Sequence, residues 1–359
     1  MACDILCPKV RMVKMLPRKK ISEGILEAHA LNRIGYAIDG IQRENVDPDD
    51  WNAPLRINTF IHKVVLSGLW GNLQDDYNRL WTVFDGPFVD ETFVPTKRMP
   101  SYRTRWIKQS PEFQTNIYIY PTRGRPPFLI EIIPTEQATL NDWKKFLQFI
   151  HLWFPNLKVS MVDYAIDEHC YDFKAAEKLF QIQLKYLFIP YQRSVNFLGG
   201  DLVHYGDRTM MNTVCRIGDV KLYERGPDRK KNGDGWIMSD VDRVRLEYSA
   251  PRGALVRRGI SDIADLIRYP RFFETNKNIY KFMNFKGSKK LPMLGQEYTT
   301  PDENGYVGCF QSEVIGHRQK VKNISHYMEN TEGLETLKSA LQNAMRRFDL
   351  EWVSEQGII

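Results

Sequence analysis

No apolar run in this chain approaches the roughly 20 residues that span a bilayer, and the longest apolar patches are broken by charges or prolines. The opening stretch, MACDILCPKVRMVKMLPRKK, lacks the continuous apolar segment of a signal peptide. A cytoplasmic location is the expectation, with no membrane partner. Cysteine is scarce and scattered. Cys3, Cys7, Cys170, Cys215 and Cys309 are an odd set without a C-x-x-C pair, which argues against a structural zinc site and a disulfide framework and for reduced thiols. No long low-complexity tract is present, so the chain reads as globular rather than disordered.

What is there is a chain of 359 residues, 43% apolar and 26% charged, long enough for two or three domains. The net charge of +6 is concentrated in clusters: PKVRMVKMLPRKK at 8–20, RGPDRKK at 225–231, RRG at 257–259 and KGSKK at 286–290. Such clusters suit a phosphate backbone, because each neutralised phosphate releases counterions. Solvated loops would look the same, so charge by itself decides little.

Residues 1–57 read as a basic N-terminal extension with one helix near 22–36, closed by the proline-marked loop DPDDWNAPLR. TFIHKVVLSG (59–68) alternates as a strand. LQDDYNRLWTVF (73–84) places Tyr77, Leu80, Trp81 and Phe84 at helical spacing. The strands YRTRWIKQ, TNIYIYP and PFLIEIIP follow. A second unit opens with the helix LNDWKKFLQFIHLWF (140–154) and the strand KVSMVDYAID (158–167). It continues with the helix FKAAEKLFQIQLKYLF (173–188) and the strands SVNFLG, VHYGDRT, VCRIGDVKLYER and VDRVRLEYS. Both units run strand, helix, then antiparallel strands, which predicts an α+β fold: a pseudo-duplicated antiparallel sheet with helices on one face. The expected boundaries are 58–139 and 140–270 for the two units of one domain. A C-terminal loop and helical region covers 271–359, where Leu337, Leu341, Met345 and Phe348 form an apolar stripe suited to packing or dimerisation.

The stretch DVKLYER (219–225) puts Tyr223 on the same side as Asp219, Lys221 and Arg225, with Val220 and Leu222 opposite. In MVDYAID, Val162, Tyr164 and Ile166 face a core and Asp163, Ala165 and Asp167 face away. In VDRVRLEYS, Val244, Leu246 and Tyr248 point inward and Arg243, Arg245 and Glu247 outward, while LVHYGDR adds His204 and Arg208. One sheet face thus carries carboxylates, basic groups and a tyrosine. Any antiparallel sheet with a wet face has this look. A divalent cation takes oxygen ligands of this kind, and tyrosine can serve as a covalent nucleophile. Asp163 and Asp167 lie about 13 Å apart on a regular strand, so one ion reaches both only across a bend or bulge.

VSMVDYAID, VHYGDRT, VKLYERG and RVRLEY, in this order and spacing, resemble the rolling-circle replication initiators of the Rep_trans type, a family of plasmid and filamentous-phage initiators and related relaxases. The resemblance covers about 155–270, with a fainter match from about 59. It implies a nickase that cuts one strand at a replication origin through a 5′-phosphotyrosine, with Tyr223 as the nucleophile and Lys221 and Arg208 assisting. It places Asp163, Asp167 and Glu247 on the acidic positions that hold Mg²⁺ or Mn²⁺, and Arg225, Arg243, Arg245 and His204 on the DNA. It also implies origin DNA, single-stranded or supercoiled, a host helicase and a homodimer as partners. The relaxase of an integrative element and a non-catalytic DNA-binding regulator are the alternatives. Met161 stands where the family has an arginine, Lys221 and Arg225 where it more often has arginine and lysine, and Gly206 directly follows Tyr205. None of the seven histidines belongs to a His-hydrophobe-His triplet, the metal-binding unit of the other large nickase class.

Overall fold

The computed structural model describes residues 54–68, 89–92, 102–121, 125–188, 195–205, 208–225, 242–282, 284–285, 328–329 and 332–354. The helices expected near 22–36 and at 73–84, and the basic clusters at 8–20 and 286–290, lie outside them. In chain order the elements are β1 (Arg56–Gly68), β2 (Val89–Thr92), β3 (Tyr102–Gln109), β4 (Phe113–Pro121), β5 (Phe128–Pro134), α1 (Leu140–Trp153), β6 (Lys158–His169) and α2 (Phe173–Tyr186). Then come β7 (Leu187–Phe188), β8 (Val195–Tyr205), β9 (Arg208–Ile217), β10 (Val220–Glu224), β11 (Arg243–Pro251), α3 (Arg252–Val256), α4 (Ile263–Arg268) and α5 (Phe272–Asn276). The short strands β12 (Lys281–Phe282), β13 (Asn284–Phe285) and β14 (Met328–Glu329) precede the closing helix α6 (Glu332–Ser354). The fold is α+β, with an antiparallel sheet and a C-terminal helix.

Two compact units are assembled from non-contiguous segments. One comprises Thr59–Ala165, Ser249–Asn276 and Met345–Ile359, and the other Met1–Asn58, Ile166–Tyr248 and Lys277–Ala344. In the first, the strand order is β2-β3-β4-β5-β1 followed by the opening part of β6. Phe128, Ile130 and Ile132 of β5 are buried on one face, as period-2 alternation requires. Gly68 lies opposite Phe128, and a Cβ there would fall 2.3 Å from the Phe128 ring, so only glycine allows this close approach. Helix α1 opens on a capping box, in which Thr139 accepts from the Asp142 amide and Asp142 accepts from the Thr139 amide. It buries Trp143, Leu147 and Ile150 along one stripe, with Trp143 edge-on to Phe113 at 4.9 Å. Asp349 of α6 accepts from the Phe272 and Phe273 amides at 2.8 and 2.9 Å, satisfying donors at the start of α5. Arg271, just before them, holds a left-handed φ of 53°, which is uncommon outside glycine.

The second unit carries the strand order β6-β11-β10-β9-β8, beginning with the closing part of β6. Helix α2 is capped by Asp172, which accepts from the Ala175 amide at 2.8 Å, and buries Ala176, Leu179, Phe180, Ile182 and Gln183. The strand expected through VCRIGDVKLYER is two strands. Gly218, at φ 61°, turns the chain so that Ile217 faces Val220, and Asp219 sits in that turn instead of on the face with Lys221 and Tyr223. VHYGDRT likewise straddles two strands, with Tyr205 opposite Arg208. Helix α2 ends at Tyr186 rather than 188, because Leu187 and Phe188 turn extended and pair with β12. Among the described residues, no helix is long and apolar enough to cross a membrane.

Candidate active site on the sheet

Strands β10 and β11 pair antiparallel, with Lys221 opposite Glu247 and Tyr223 opposite Arg245. Same-face neighbours on such a pair meet directly and on the diagonal, which places Glu247 within reach of both Lys221 and Tyr223. The phenol of Tyr223 donates to Glu247 Oε2 at 3.0 Å, and the Lys221 ammonium donates to Oε1 of the same carboxylate. Glu247 is 1% exposed and Tyr223 5%. A hydroxyl held against a carboxylate has a proton acceptor in place, and the lysine offsets the carboxylate's charge in a setting where an unpaired charge is costly.

Asp167, on β6, is held by two arginines. Arg245 grips it with both arms of its guanidinium, Nε to Oδ1 at 2.5 Å and Nη2 to Oδ2 at 2.7 Å, and Arg243 Nη1 reaches Oδ2 at 3.0 Å. Burial pushes the Asp167 carboxyl up, but Arg245 and then Arg243 outweigh it and hold the group below the usual carboxylate range. Asp163 lies in the other unit, where its Oδ2 is 3.0 Å from the Lys63 ammonium. Each carboxylate expected to bind metal therefore faces a lysine or arginine. Among the described residues, no group of three His, Cys, Asp or Glu side chains is placed to hold a metal ion. Arg208 is on β9 opposite Tyr205 and His204 on β8 opposite Thr209, and their side chains lie outside the described residues. Arg225 follows the last residue of β10 and is half-buried.

The carboxylates of the polar face, and Arg245 with them, are buried. Asp163, Asp167, Arg245 and Glu247 are each at most 4% exposed. Alternation along a strand tells which side chains share a face, and here both faces of β6 are covered from Val162 to Glu168. Behind Asp167, Glu168 accepts a hydrogen bond from Gln183 of α2. Burial pushes its carboxyl up to about 8, Gln183 pulls the other way and the Asp167 charge adds to the rise. Folding thus raises the Glu168 pKa, and the folded state binds more protons than the unfolded one between about 4.5 and 8. Stability should fall as pH rises through that window, by at most about 1.4 kcal/mol per unit, and level off above it. Denaturant titrations at several pH values should show this slope in the natural chain and a flatter profile in Glu168→Gln.

Glu131, Tyr118 and Arg105 in the other unit form a polar cluster that no local sequence pattern singles out. Glu131 accepts from Tyr118 at 3.0 Å and from Asn116 at 2.9 Å. The available signal was a single glutamate inside the otherwise apolar FLIEIIP.

No family model and no curated protein matches the chain. Among solved structures, the rolling circle replication initiator protein from Geobacillus stearothermophilus is similar at 12% identity, over 74% of this chain and 98% of that one, with a TM-score of 0.36. A likeness that weak leaves the function to the residues themselves.

Proposed function

We propose that this chain nicks and rejoins one DNA strand at a replication origin, with Tyr223 as the nucleophile. The observation that carries this reading is the Tyr223 phenol hydrogen-bonded to Glu247, with Lys221 on the same carboxylate. Glu247 takes the phenol's proton as Tyr223 Oη attacks phosphorus. The bond from phosphorus to the 3′ oxygen breaks and that oxygen takes the proton from Glu247, leaving a 5′-phosphotyrosine and a free 3′ hydroxyl. Lys221 lies where it can offset negative charge building on the phosphoryl group. The energy of the broken ester is kept in the phosphotyrosine, so the strand can be resealed. The order of the strand motifs VSMVDYAID, VKLYERG and RVRLEY supports the same reading, and the DNA partner comes with it.

Mg²⁺ or Mn²⁺ dependence belongs to the proposal, but Asp163, Asp167 and Glu247 as arranged do not fit a metal site, since each is engaged by a cationic side chain. The chemistry above therefore runs through Tyr223, Glu247 and Lys221 alone. A second reading, a DNA-binding regulator without catalysis, draws on the burial of Tyr223, which DNA reaches only when that face is uncovered. A host helicase and a second copy of the chain are further partners under the first reading.

The test is incubation with supercoiled DNA carrying the protein's own gene and flanks, with Mn²⁺, with Mg²⁺ and with a chelator, on denaturing gels run without protease. Nicked DNA with protein on its 5′ end is the expected result. Intact DNA bound by the protein under every condition would favour the regulator.

A further inference from the structure

The unit built from Thr59–Ala165 contains a second constellation of the same make. Tyr118 of β4 lies directly opposite Arg105 of β3, as Tyr223 lies opposite Arg245. Its phenol donates to Glu131 Oε2 at 3.0 Å, the same contact that Tyr223 makes with Glu247. In each case the glutamate pairs with the residue two before the tyrosine, Asn116 for Glu131 and Lys221 for Glu247, so the phenol meets it on the diagonal. A lysine faces each glutamate: Lys63 stands 3.7 Å from Glu131 Oε1 and is shared with Asp163 at 3.0 Å, and Lys221 binds Glu247 Oε1. Tyr118 is 2% exposed, against 5% for Tyr223. The two sites differ in where the arginine and glutamate come from, two flanking strands around Tyr118 and the single strand β11 around Tyr223.

We propose that Tyr118 is a second nucleophile for DNA phosphodiesters, with Glu131 as its proton acceptor, Lys63 as the charge-balancing cation and Arg105 beside the phosphate. This rests on the function proposed for Tyr223 and extends it. One nucleophile per chain makes one phosphotyrosine at a time, whereas releasing the product takes a first cleavage and then a second one while the first phosphotyrosine still holds its strand. A chain with two such tyrosines carries both. In the second step Tyr118 Oη attacks a phosphodiester, a bond from phosphorus to Oη forms and the bond to the 3′ oxygen breaks. The phenol's proton passes to Glu131 and finally to the departing 3′ oxygen, so the step needs no further reactant. Burial foremost, and then the Glu131 charge, pushes the Tyr118 phenol well above its ordinary range, while Arg105 opposes both. Tyr118 is therefore a neutral phenol at physiological pH and attacks only with a base at hand, the place Glu131 occupies.

The test is covalent trapping followed by peptide mapping. The full chain is incubated with Mn²⁺ and single-stranded oligonucleotides tiling its own gene and flanks, then digested, and nucleotide-bearing peptides are located by mass spectrometry. Natural protein should yield adducts on both the Tyr118 and Tyr223 peptides, and Tyr223→Phe should keep the Tyr118 adduct alone. Joining of two oligonucleotides should fall at least tenfold in Tyr223→Phe and in Tyr118→Phe. Adducts on Tyr223 only would overturn the second nucleophile and leave the proposed function standing, and no tyrosine adduct at all would remove both. The mapping on natural protein decides between these outcomes even if Tyr118→Phe fails to fold.

Discussion

Tyr223→Phe should abolish the covalent DNA adduct at position 223 and cut the first nick in supercoiled DNA by about a thousandfold or more, while the protein stays folded. The substitution removes one oxygen and leaves the ring in a buried site between strands β9 and β11. Glu247 loses one donor but keeps Lys221, so the cost in stability is that of one hydrogen bond to a charged group, about 1.5–3 kcal/mol. Glu247→Gln separates the two roles of the carboxylate. The amide oxygen still accepts from Tyr223, but its basicity is gone, and the rate should drop by roughly 10²–10⁴ if Glu247 takes the phenol's proton. The readout is a single-turnover nicking rate beside a melting curve for each variant. A first nick in supercoiled DNA that survives in Tyr223→Phe would move that step to another residue, and unchanged DNA binding in a nicking-dead natural protein would favour the regulator.

Much of the fold was legible because the two periodicities are strong here. YRTRWIKQ is strand β3 residue for residue, and the stripe Trp143, Leu147 and Ile150 marks the buried side of α1. The tyrosine of DVKLYER was legible as a polar-face residue because Val220 and Leu222 fix the opposite face. What failed to show were events that cost the pattern little. The turn at Gly218 spends two residues, and a two-residue interruption preserves the alternation on either side of it. The burial of Asp163, Asp167 and Glu247 was hidden for another reason: alternation sorts side chains by face but carries nothing about what covers that face. Partner choice was hidden most deeply. Asp167 sits beside Glu168 and four residues from Asp163 in DYAIDEH, yet its partners Arg243 and Arg245 are 76 and 78 residues away along the chain. Only strand pairing brings them together. The Tyr118–Glu131 contact went unseen likewise, because its two residues belong to neighbouring strands whose register no local pattern states.

Asp167→Ala should be among the most destabilising substitutions in the chain, at about 3–5 kcal/mol, because it strips the counter-charge from two arginines whose side chains are 4% and 13% exposed. For a chain of this size that is a fall in melting temperature of roughly 5 °C. Replacing the charge partner as well reverses much of the loss. In Asp167→Ala combined with Arg245→Met, the buried guanidinium is gone and the penalty of leaving it unpaired goes with it, so the double variant should melt above Asp167→Ala alone. Acid reports on the same pair. Folding lowers the Asp167 pKa, so its contribution is fully present above the unfolded value near 3.8 and is lost as pH falls through the lower folded value. The natural chain should lose stability below about pH 4 more steeply than Asp167→Asn, measured by chemical denaturation at fixed pH. The same melts, repeated with Mg²⁺ and with chelator, separate two uses of the carboxylate. An ion pair with Arg243 and Arg245 is indifferent to the metal, whereas a ligand role would raise the melting temperature of the natural chain in Mg²⁺ and leave Asp167→Ala unmoved. The bidentate grip of Arg245 favours the first outcome.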